Sequence, residues 1–97
     1  MAVVMIMHWP EVGRDQYEEA RRKVNWEGEQ PDGAVSHVAW FEGDGFHVLD
    51  VWDSEADFNR FVEQRLMPVV KEIGIDGEPN VRFAPLHAQF IVERAAV

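Results

Sequence analysis

An imidazole and a carboxylate are predicted to face each other across a β-hairpin in this 97-residue chain. Two apolar, β-rich runs, residues 35–42 and 46–52, are separated by Gly-Asp-Gly, which favours a hairpin. If the loop consists of Gly43–Asp44, counting back along the strands sets His37 opposite Asp50. Directly opposed residues share one face of the sheet, with Cβ atoms about 4.5 to 5.5 Å apart. We therefore expect these two side chains to form a pair.

An aspartate in the middle of an apolar strand needs a partner, because an ionised carboxylate is costly to bury alone. Asp50 could fix the tautomer of His37 and strengthen it as a general base that acts near neutral pH. The two side chains could instead satisfy each other for structural reasons, or Asp50 could bind a loop amide. A three-residue loop would reverse the alternation, place His47 on the face of His37 and remove the pair. The catalytic hypothesis assigns His37 as the base and Asp50 as the group that orients it.

Apolar side chains around Asp50 are candidates for a binding pocket. Period-two alternation places Val48 and Trp52 on the same face as Asp50, and a helix follows directly. An aromatic cage for a planar ligand could be formed by Trp9, Trp40, Phe58 and Phe61, and packing in a core or a dimer interface is the alternative. The candidate substrate-binding residues are Trp40, Val48, Trp52, Phe58 and Phe61.

The four histidines do not have the spacing of a metal site. They fall one to each predicted strand, without a close motif such as H-x-x-x-H, and some are expected on opposite faces of the sheet. The G-x-G at residues 43–45 lies at a hairpin tip and does not open a helix, so it is not a nucleotide fingerprint. There is no glycine-rich phosphate loop, nucleophile elbow or paired cysteine motif. The sequence therefore predicts neither a metal site nor a cofactor.

The elements before the hairpin indicate its place in the fold. Residues 2–9 are a continuous apolar run typical of a strand covered on both faces. Residues 14–26 have the spacing of an amphipathic helix, and a polar, glycine- and proline-rich segment follows them. With a helix and a strand after the hairpin, the order is β-α-β-β-α-β. The predicted fold class is therefore α+β, a ferredoxin-like split fold, in a single domain over residues 1–97.

The elements after the hairpin complete this order. Ser54 is a predicted N-cap, and Pro68 can start a second helical segment that runs to Gly74. Residues 81–92 are the predicted last strand. Pro85 lies inside it and cannot donate to a sheet ladder, so this strand must lie at an edge or be broken there.

The charge of the chain excludes several classes of partner. Lys and Arg total 9 against 18 Asp and Glu, which gives a formal net charge of −9. This acidic balance argues against nucleic acid and against anionic membrane surfaces. No apolar run approaches the roughly 20 residues needed to span a bilayer. The absence of cysteine excludes a disulfide framework and thiol catalysis. We expect a cytoplasmic protein.

The predicted strands are apolar on both faces, although helices can cover only one. A four-stranded sheet with one exposed face should show a polar side on alternate residues, and these strands do not. The second face therefore needs a cover, and sheet-to-sheet packing of two copies would supply it. We expect a homodimer.

The stretch FHVLDVWDSEADFNRF, residues 46–61, resembles the antibiotic biosynthesis monooxygenase group of dimeric α/β-barrel proteins. It combines a strand that ends in Trp with a capped helix that begins Ser-Glu-Ala. The resemblance implies two ferredoxin-like subunits joined sheet to sheet, with a small-molecule pocket between sheet and helices in each. The group includes cofactor-free oxygenases acting on polycyclic phenols, haem-degrading enzymes and cyclases, so topology alone does not choose a reaction.

Residue by residue, the resemblance implies a pocket role for Trp52, which matches the strand-end Trp of the cofactor-free oxygenases. Positions that are Asn, Tyr and His in various relatives are Val48, Phe58 and Phe61 here. The expected function is proton transfer or cofactor-independent oxygen chemistry on a small aromatic or polyketide-like molecule. The alternative is a non-catalytic, ligand-binding or stress-associated homodimer.

Overall fold

A four-stranded antiparallel sheet with helices packed on one face makes up the computed structural model, which describes residues 1–92. The strand order is β2-β3-β1-β4. The predicted ferredoxin-like α+β class is confirmed. The elements are β1 Val3–Trp9, α1 Arg14–Val24, β2 Ala34–Glu42, β3 Gly45–Trp52, α2 Glu55–Phe61, a π-helical segment Val62–Leu66, α3 Met67–Ile73 and β4 Asn80–Pro85.

The hairpin between β2 and β3 has the predicted two-residue turn. Glu42 pairs with Gly45, and His37 lies directly opposite Asp50. The alternative with a three-residue loop is therefore excluded. A register shift between Ala34 and Ser36 disturbs the far end of β2 only, so it does not affect the pair.

The helical part after β3 begins at a side-chain cap, as predicted. Ser54 Oγ accepts the backbone N–H of Asp57 at 3.1 Å, and the Ser54 hydroxyl donates to Asp57 Oδ2 at 2.8 Å. The hydrogen bond from Ser54, and then that from Arg60, hold the pKa of the Asp57 carboxyl below its ordinary value. Pro68 lies in the first turn of α3, which ends at Gly74 in the left-handed conformation.

The last strand is an edge strand, as its proline predicts, but it is shorter than expected. β4 pairs with β1 alone and ends at Pro85, whereas the predicted strand continued to Val92. This extension was wrong over residues 86–92, which form no regular strand. The proline has no N–H to give to the ladder, and the chain leaves the sheet after it. Within this segment Gln89 Nε2 lies 3.5 Å from Ser36 Oγ on β2.

The core lies between the sheet and the helices. Met5, at the centre of β1, is fully buried, and it is surrounded by alternate residues of β1 and β3 and by one face of the helices. No helix within residues 1–92 is long and apolar enough to cross a membrane. The core cluster consists of Met5, Met7, Trp9, Val12, Phe46, Val48, Trp52, Phe58 and Val70.

The opposite side of the sheet, called the open face below, is also apolar. Val38, Trp40 and Leu49 are 53%, 37% and 37% exposed there. No helix lies over this face in residues 1–92, so large side chains of the sheet remain in contact with solvent. The open face is formed by Val4, Ile6, His8, Val38, Trp40, His47 and Leu49.

Candidate functional site

A cavity of about 310 Å³ lies between the sheet and the helices. Its walls are mainly apolar, and the polar side chains that line it include those of Tyr17, Glu27, Gln30, Ser36, His37 and Asp50. Its size falls at the lower end of the range for ligand pockets, about 300 to 1,000 Å³. Its other walls include Met5, Trp9, Val48, Trp52, Phe58 and Phe61.

Asp50 is the buried polar centre of this site. The residue is only 6% exposed, although it lies in an apolar strand. His37 Nδ1 is 2.7 Å from Asp50 Oδ1, and Trp52 Nε1 donates to Asp50 Oδ2 at 3.0 Å. A carboxylate can only accept, so His37 Nδ1 is the donor. Asp50 is tolerated in an apolar strand because both of its carboxylate oxygens have hydrogen-bond partners.

The other ring nitrogen of His37 points towards the first helix. His37 Nε2 lies 3.0 Å from the hydroxyl of Tyr17, and the two rings are stacked with centroids 6.2 Å apart. Because Nδ1 carries the proton in the neutral ring, Nε2 accepts from the phenol. The His37 side chain lines the cavity and remains 33% exposed, so it lies where the cavity meets the solvent.

Tyr17 is held in its protonated form. Burial, opposed by the positive charge of Arg21, raises the pKa of Tyr17 to about 12. A phenol with this pKa remains a hydrogen-bond donor across the physiological range. Tyr17, His37, Asp50 and Trp52 therefore form one chain of hydrogen bonds, called the polar relay below.

The inner wall of the cavity is aromatic. Trp52 contacts Phe58 edge to face with ring centroids 5.5 Å apart, and Phe61 at 5.4 Å. The predicted pocket residues Val48, Trp52, Phe58 and Phe61 all line the cavity. Flat, polarisable walls of this kind suit a planar aromatic ligand.

Trp40 was assigned to the same pocket, and this assignment was wrong. Trp40 follows His37 by three positions on one strand, and an odd step reverses the face. It therefore lies on the open face, where its ring stacks on His47 with centroids 5.2 Å apart. Trp40 is therefore not part of the proposed aromatic cage, whereas Trp9 lines the cavity.

Two members of the site were not recognised from the sequence. Tyr17 lies within the predicted helix of residues 14–26, but no sequence pattern connects its hydroxyl with His37. Trp26, just after α1, lines the cavity and lies 5.1 Å from the His37 ring. The available signal was that α1 must pack on the sheet face that carries the His37–Asp50 pair.

The comparisons with known proteins show which solved structures share this fold. No protein-family model and no curated sequence matches the chain significantly. A mutant of SnoaB from Streptomyces nogalater, a cofactor-independent oxygenase, superposes with a TM-score of 0.64 and 18% identity, covering 91% of this chain and 95% of that one. The protein NE2512 of unknown function from Nitrosomonas europaea gives 0.65 and 16%, covering 95% and 94%.

A protein solved as an antibiotic biosynthesis monooxygenase gives a TM-score of 0.59 at 11% identity, covering 91% of this chain and 100% of that one. At identities this low, structural similarity establishes the fold and leaves the reaction to the chemistry of the site. The chain therefore shares its ferredoxin-like fold with these solved proteins, which include the kind of protein that the stretch at residues 46–61 resembles.

Proposed function

We propose that the chain binds a small aromatic molecule in the cavity and that His37 transfers a proton to or from it. The observation that carries this proposal is the polar relay, which ends at the wall of a mainly apolar cavity of about 310 Å³. Protein interiors are close-packed, so a core built for stability alone has little reason to keep such a space. A phenol or enol of one or a few fused rings fits apolar walls with one polar corner.

His37 is the candidate base because its two ring nitrogens have different partners. Asp50 fixes the proton on Nδ1, which leaves the lone pair of Nε2 directed at the Tyr17 hydroxyl. A substrate hydroxyl that displaced the Tyr17 phenol would reach Nε2 directly. One that hydrogen-bonded to the phenol would pass its proton to Nε2 through the phenol oxygen. The charge of Asp50 would then stabilise the imidazolium. A positioned base of this kind contributes about 10² to 10⁴-fold to a rate.

Proton removal from a phenol or enol also prepares a molecule for reaction with O₂, because the anion is electron-rich. The fold shared with SnoaB, which is described as a cofactor-independent oxygenase, supports this reaction class. Trp52 on the inner wall also supports this reaction class, because it matches the strand-end Trp that the resemblance places in the pocket of such oxygenases. We therefore propose cofactor-independent oxygen chemistry or a proton-transfer reaction on an aromatic or polyketide-like substrate.

A second candidate, a ligand-binding protein without catalysis, is favoured by a different observation. Within residues 1–92 every buried side-chain nitrogen and oxygen has a hydrogen-bond partner. The polar relay is thus complete without a substrate and could serve stability alone. Under this candidate the cavity still binds an aromatic ligand.

The experiment that separates these candidates uses a panel of phenols and naphthols with two matched variants, His37→Ala and His87→Ala. Binding is followed by the fluorescence of the cavity tryptophans, and turnover by product analysis with O₂ present and absent. We expect His37→Ala to lower turnover at least tenfold while retaining ligand binding, and the exposed His87→Ala to change neither.

Binding without turnover in the wild type would establish the non-catalytic candidate. Equal losses of turnover and stability in His37→Ala would assign the relay to structure. If no member of the panel perturbed the cavity tryptophans, the proposed aromatic ligand class would be wrong.

We also propose that two copies associate through their open faces. The support is the exposure of Val38, Trp40 and Leu49 on a face that residues 1–92 leave without a helix. Burying such side chains against an identical face stabilises a dimer by about 25 cal/mol for each Å² of apolar surface removed from water. This arrangement is also the one that the family resemblance implies.

A further inference from the structure

A second group of polar side chains lies at the hairpin end of the open face, on the side of the sheet away from the cavity. His8 on β1 is directly opposite His47 on β3. Asp44 occupies the adjacent turn, and Glu42 ends β2 beside it. These four residues, called the hairpin cluster below, take no part in the polar relay.

Both imidazoles of the hairpin cluster direct Nε2 at the same acidic residue. His47 Nε2 lies 2.6 Å from Asp44 Oδ1, and His8 Nε2 lies 3.7 Å from Asp44 Oδ2 and 2.8 Å from the Asp44 carbonyl oxygen. Glu42 Oε2 is 3.5 Å from His47 Nε2. One ligand atom from each of His8, Asp44 and His47 can be chosen so that all lie within 4.8 Å of one another.

Packing fixes the orientation of these rings. His47 is held between Trp40, at a centroid distance of 5.2 Å, and His8, at 4.5 Å, with interplanar angles of 13° and 8°. The His47 side chain is only 17% exposed as a result, whereas that of Asp44 is 60% exposed. An exposed ion pair contributes roughly 0 to 1 kcal/mol, so stability gives little reason to aim two ordered imidazoles at one surface carboxylate.

We propose that His8, His47 and Asp44 bind a divalent transition-metal ion of the zinc type, with Glu42 within reach as a fourth ligand. Imidazole nitrogen and carboxylate oxygen are the donors that such ions prefer. Tetrahedral zinc holds nitrogen at about 2.0 to 2.1 Å, which sets neighbouring ligand atoms roughly 3.3 Å apart. The three ligand atoms lie within 4.8 Å of one another, and the exposed Asp44 side chain is the most free of the three to adjust towards the ion.

The charge around the hairpin cluster agrees with a cation. Among the ion pairs of residues 1–92, Asp44 and Glu42 are paired only with His8 and His47, and neither has a lysine or arginine partner. The two carboxylates would therefore offset the charge of a divalent ion. No short sequence motif marks this group, because its ligands come from two strands and a turn and meet only through the antiparallel register.

The test is a titration of untagged, chelator-treated protein with zinc chloride, followed by isothermal calorimetry. We expect one ion per chain and a loss of affinity of at least about tenfold in Asp44→Asn and in His47→Gln, because even outer-shell partners of a metal often matter that much. Asp44→Asn changes an exposed turn residue, so it should fold. The matched control is His87→Gln, an exposed histidine outside the cluster, which should bind zinc like the wild type.

A second readout assigns the site directly. In ¹H–¹⁵N spectra of the histidine rings, zinc should move the signals of His8 and His47 and leave those of His37 and His87 in place. Absence of zinc binding by the wild type would overturn the proposal. So would unchanged affinity in both Asp44→Asn and His47→Gln, or shifts confined to His37 or His87.

Discussion

The hydroxyl of Tyr17 lies 3.0 Å from His37 Nε2, so a side chain of α1 completes a chain of hydrogen bonds that otherwise belongs to the β2–β3 hairpin. The packing of this helix on the sheet thereby controls what the candidate base can touch. A substrate that displaced Tyr17 would meet a ring whose tautomer Asp50 has already set.

Tyr17 provides a direct spectroscopic test because it is the only tyrosine in the chain. We expect its phenol to titrate near pH 12 in the folded protein and near 10 in denaturant. The folded pKa is above the unfolded one, so the contribution of Tyr17 to stability is complete below about pH 10 and is lost as pH rises towards 12. Phenolate absorbance gives the pKa, and far-UV circular dichroism verifies that the chain remains folded. Native titration near 10 would contradict the burial described above.

Asp50→Asn should destabilise the protein, because an amide offers one acceptor oxygen to two donors. Either one of the donors, His37 Nδ1 or Trp52 Nε1, loses its partner, or the His37 ring takes the other tautomer and accepts from the amide N–H. Loss of a partner costs about 1 to 3 kcal/mol in the free energy of unfolding, and a change of tautomer costs less. Urea denaturation measures this loss. Asp53→Asn is the matched control: it makes the same chemical change at an exposed position, and it should stay within about 0.5 kcal/mol of the wild type. Equal stabilities of the two variants would show that the Asp50 carboxylate stabilises the fold no more than a neutral amide does.

The tautomer of His37 is a separate prediction. Asp50 should keep the neutral ring protonated at Nδ1 and unprotonated at Nε2, whereas the Nε2–H form is the commoner one for an unconstrained histidine side chain in solution. Long-range ¹H–¹⁵N spectra distinguish the two nitrogens directly. In Asp50→Asn the preference for Nδ1–H should weaken, since the charged acceptor is gone. An Nε2–H ring in the wild type would remove His37 Nε2 as the candidate base.

The parts of the site that depend on local pattern could be predicted from the sequence. The Gly-Asp-Gly turn fixed the register, and with it the pairing of His37 with Asp50. Alternation then placed Val48 and Trp52 correctly on the cavity wall. The same register places Trp40 on the opposite face from His37, so its aromatic type alone does not indicate a place in the pocket.

The remaining parts depend on packing between distant elements, which a local pattern does not encode. The angle of α1 on the sheet decides whether Tyr17 reaches His37. Likewise, the pairing of β1 with β3 brings His8 beside His47, and residues so far apart carry no spacing signal. The early end of β4 is an intermediate case. Pro85 indicates where the strand could be broken, but an unbroken strand at the edge of the sheet would satisfy the proline equally well.

Leu49 tests the proposed dimer. It is 37% exposed on the open face, so Leu49→Lys should be tolerated by a single chain but should place a charge in the middle of a sheet-to-sheet interface, where burial without a partner is costly. Sedimentation velocity should show a dimer for the wild type and a monomer for Leu49→Lys. Leu49→Met retains an apolar side chain of similar volume and should remain dimeric. A monomeric wild type, or a dimeric Leu49→Lys, would reject this interface.

Two glycines of the hairpin should respond very differently to the same substitution. Gly45 has a φ of +116°, and a Cβ built there would lie 2.6 Å from Pro10 Cα, a backbone atom that cannot easily move. Gly43 lies two positions earlier, and a Cβ there would meet no atom within 4 Å. Gly45→Ala should therefore lower the free energy of unfolding by about 1 to 3 kcal/mol or more.

Gly43→Ala should change the free energy of unfolding by less than about 0.5 kcal/mol. Urea denaturation of both variants gives the comparison, and the zinc affinity of Gly45→Ala gives a second one. Because Gly45 holds the turn against β1, its replacement should also disturb the distance between Asp44 and the two imidazoles and weaken zinc binding. Similar stabilities for the two alanine variants would mean that the hairpin tip is not pressed against Pro10, and the register that aligns His37 with Asp50 would then need another anchor.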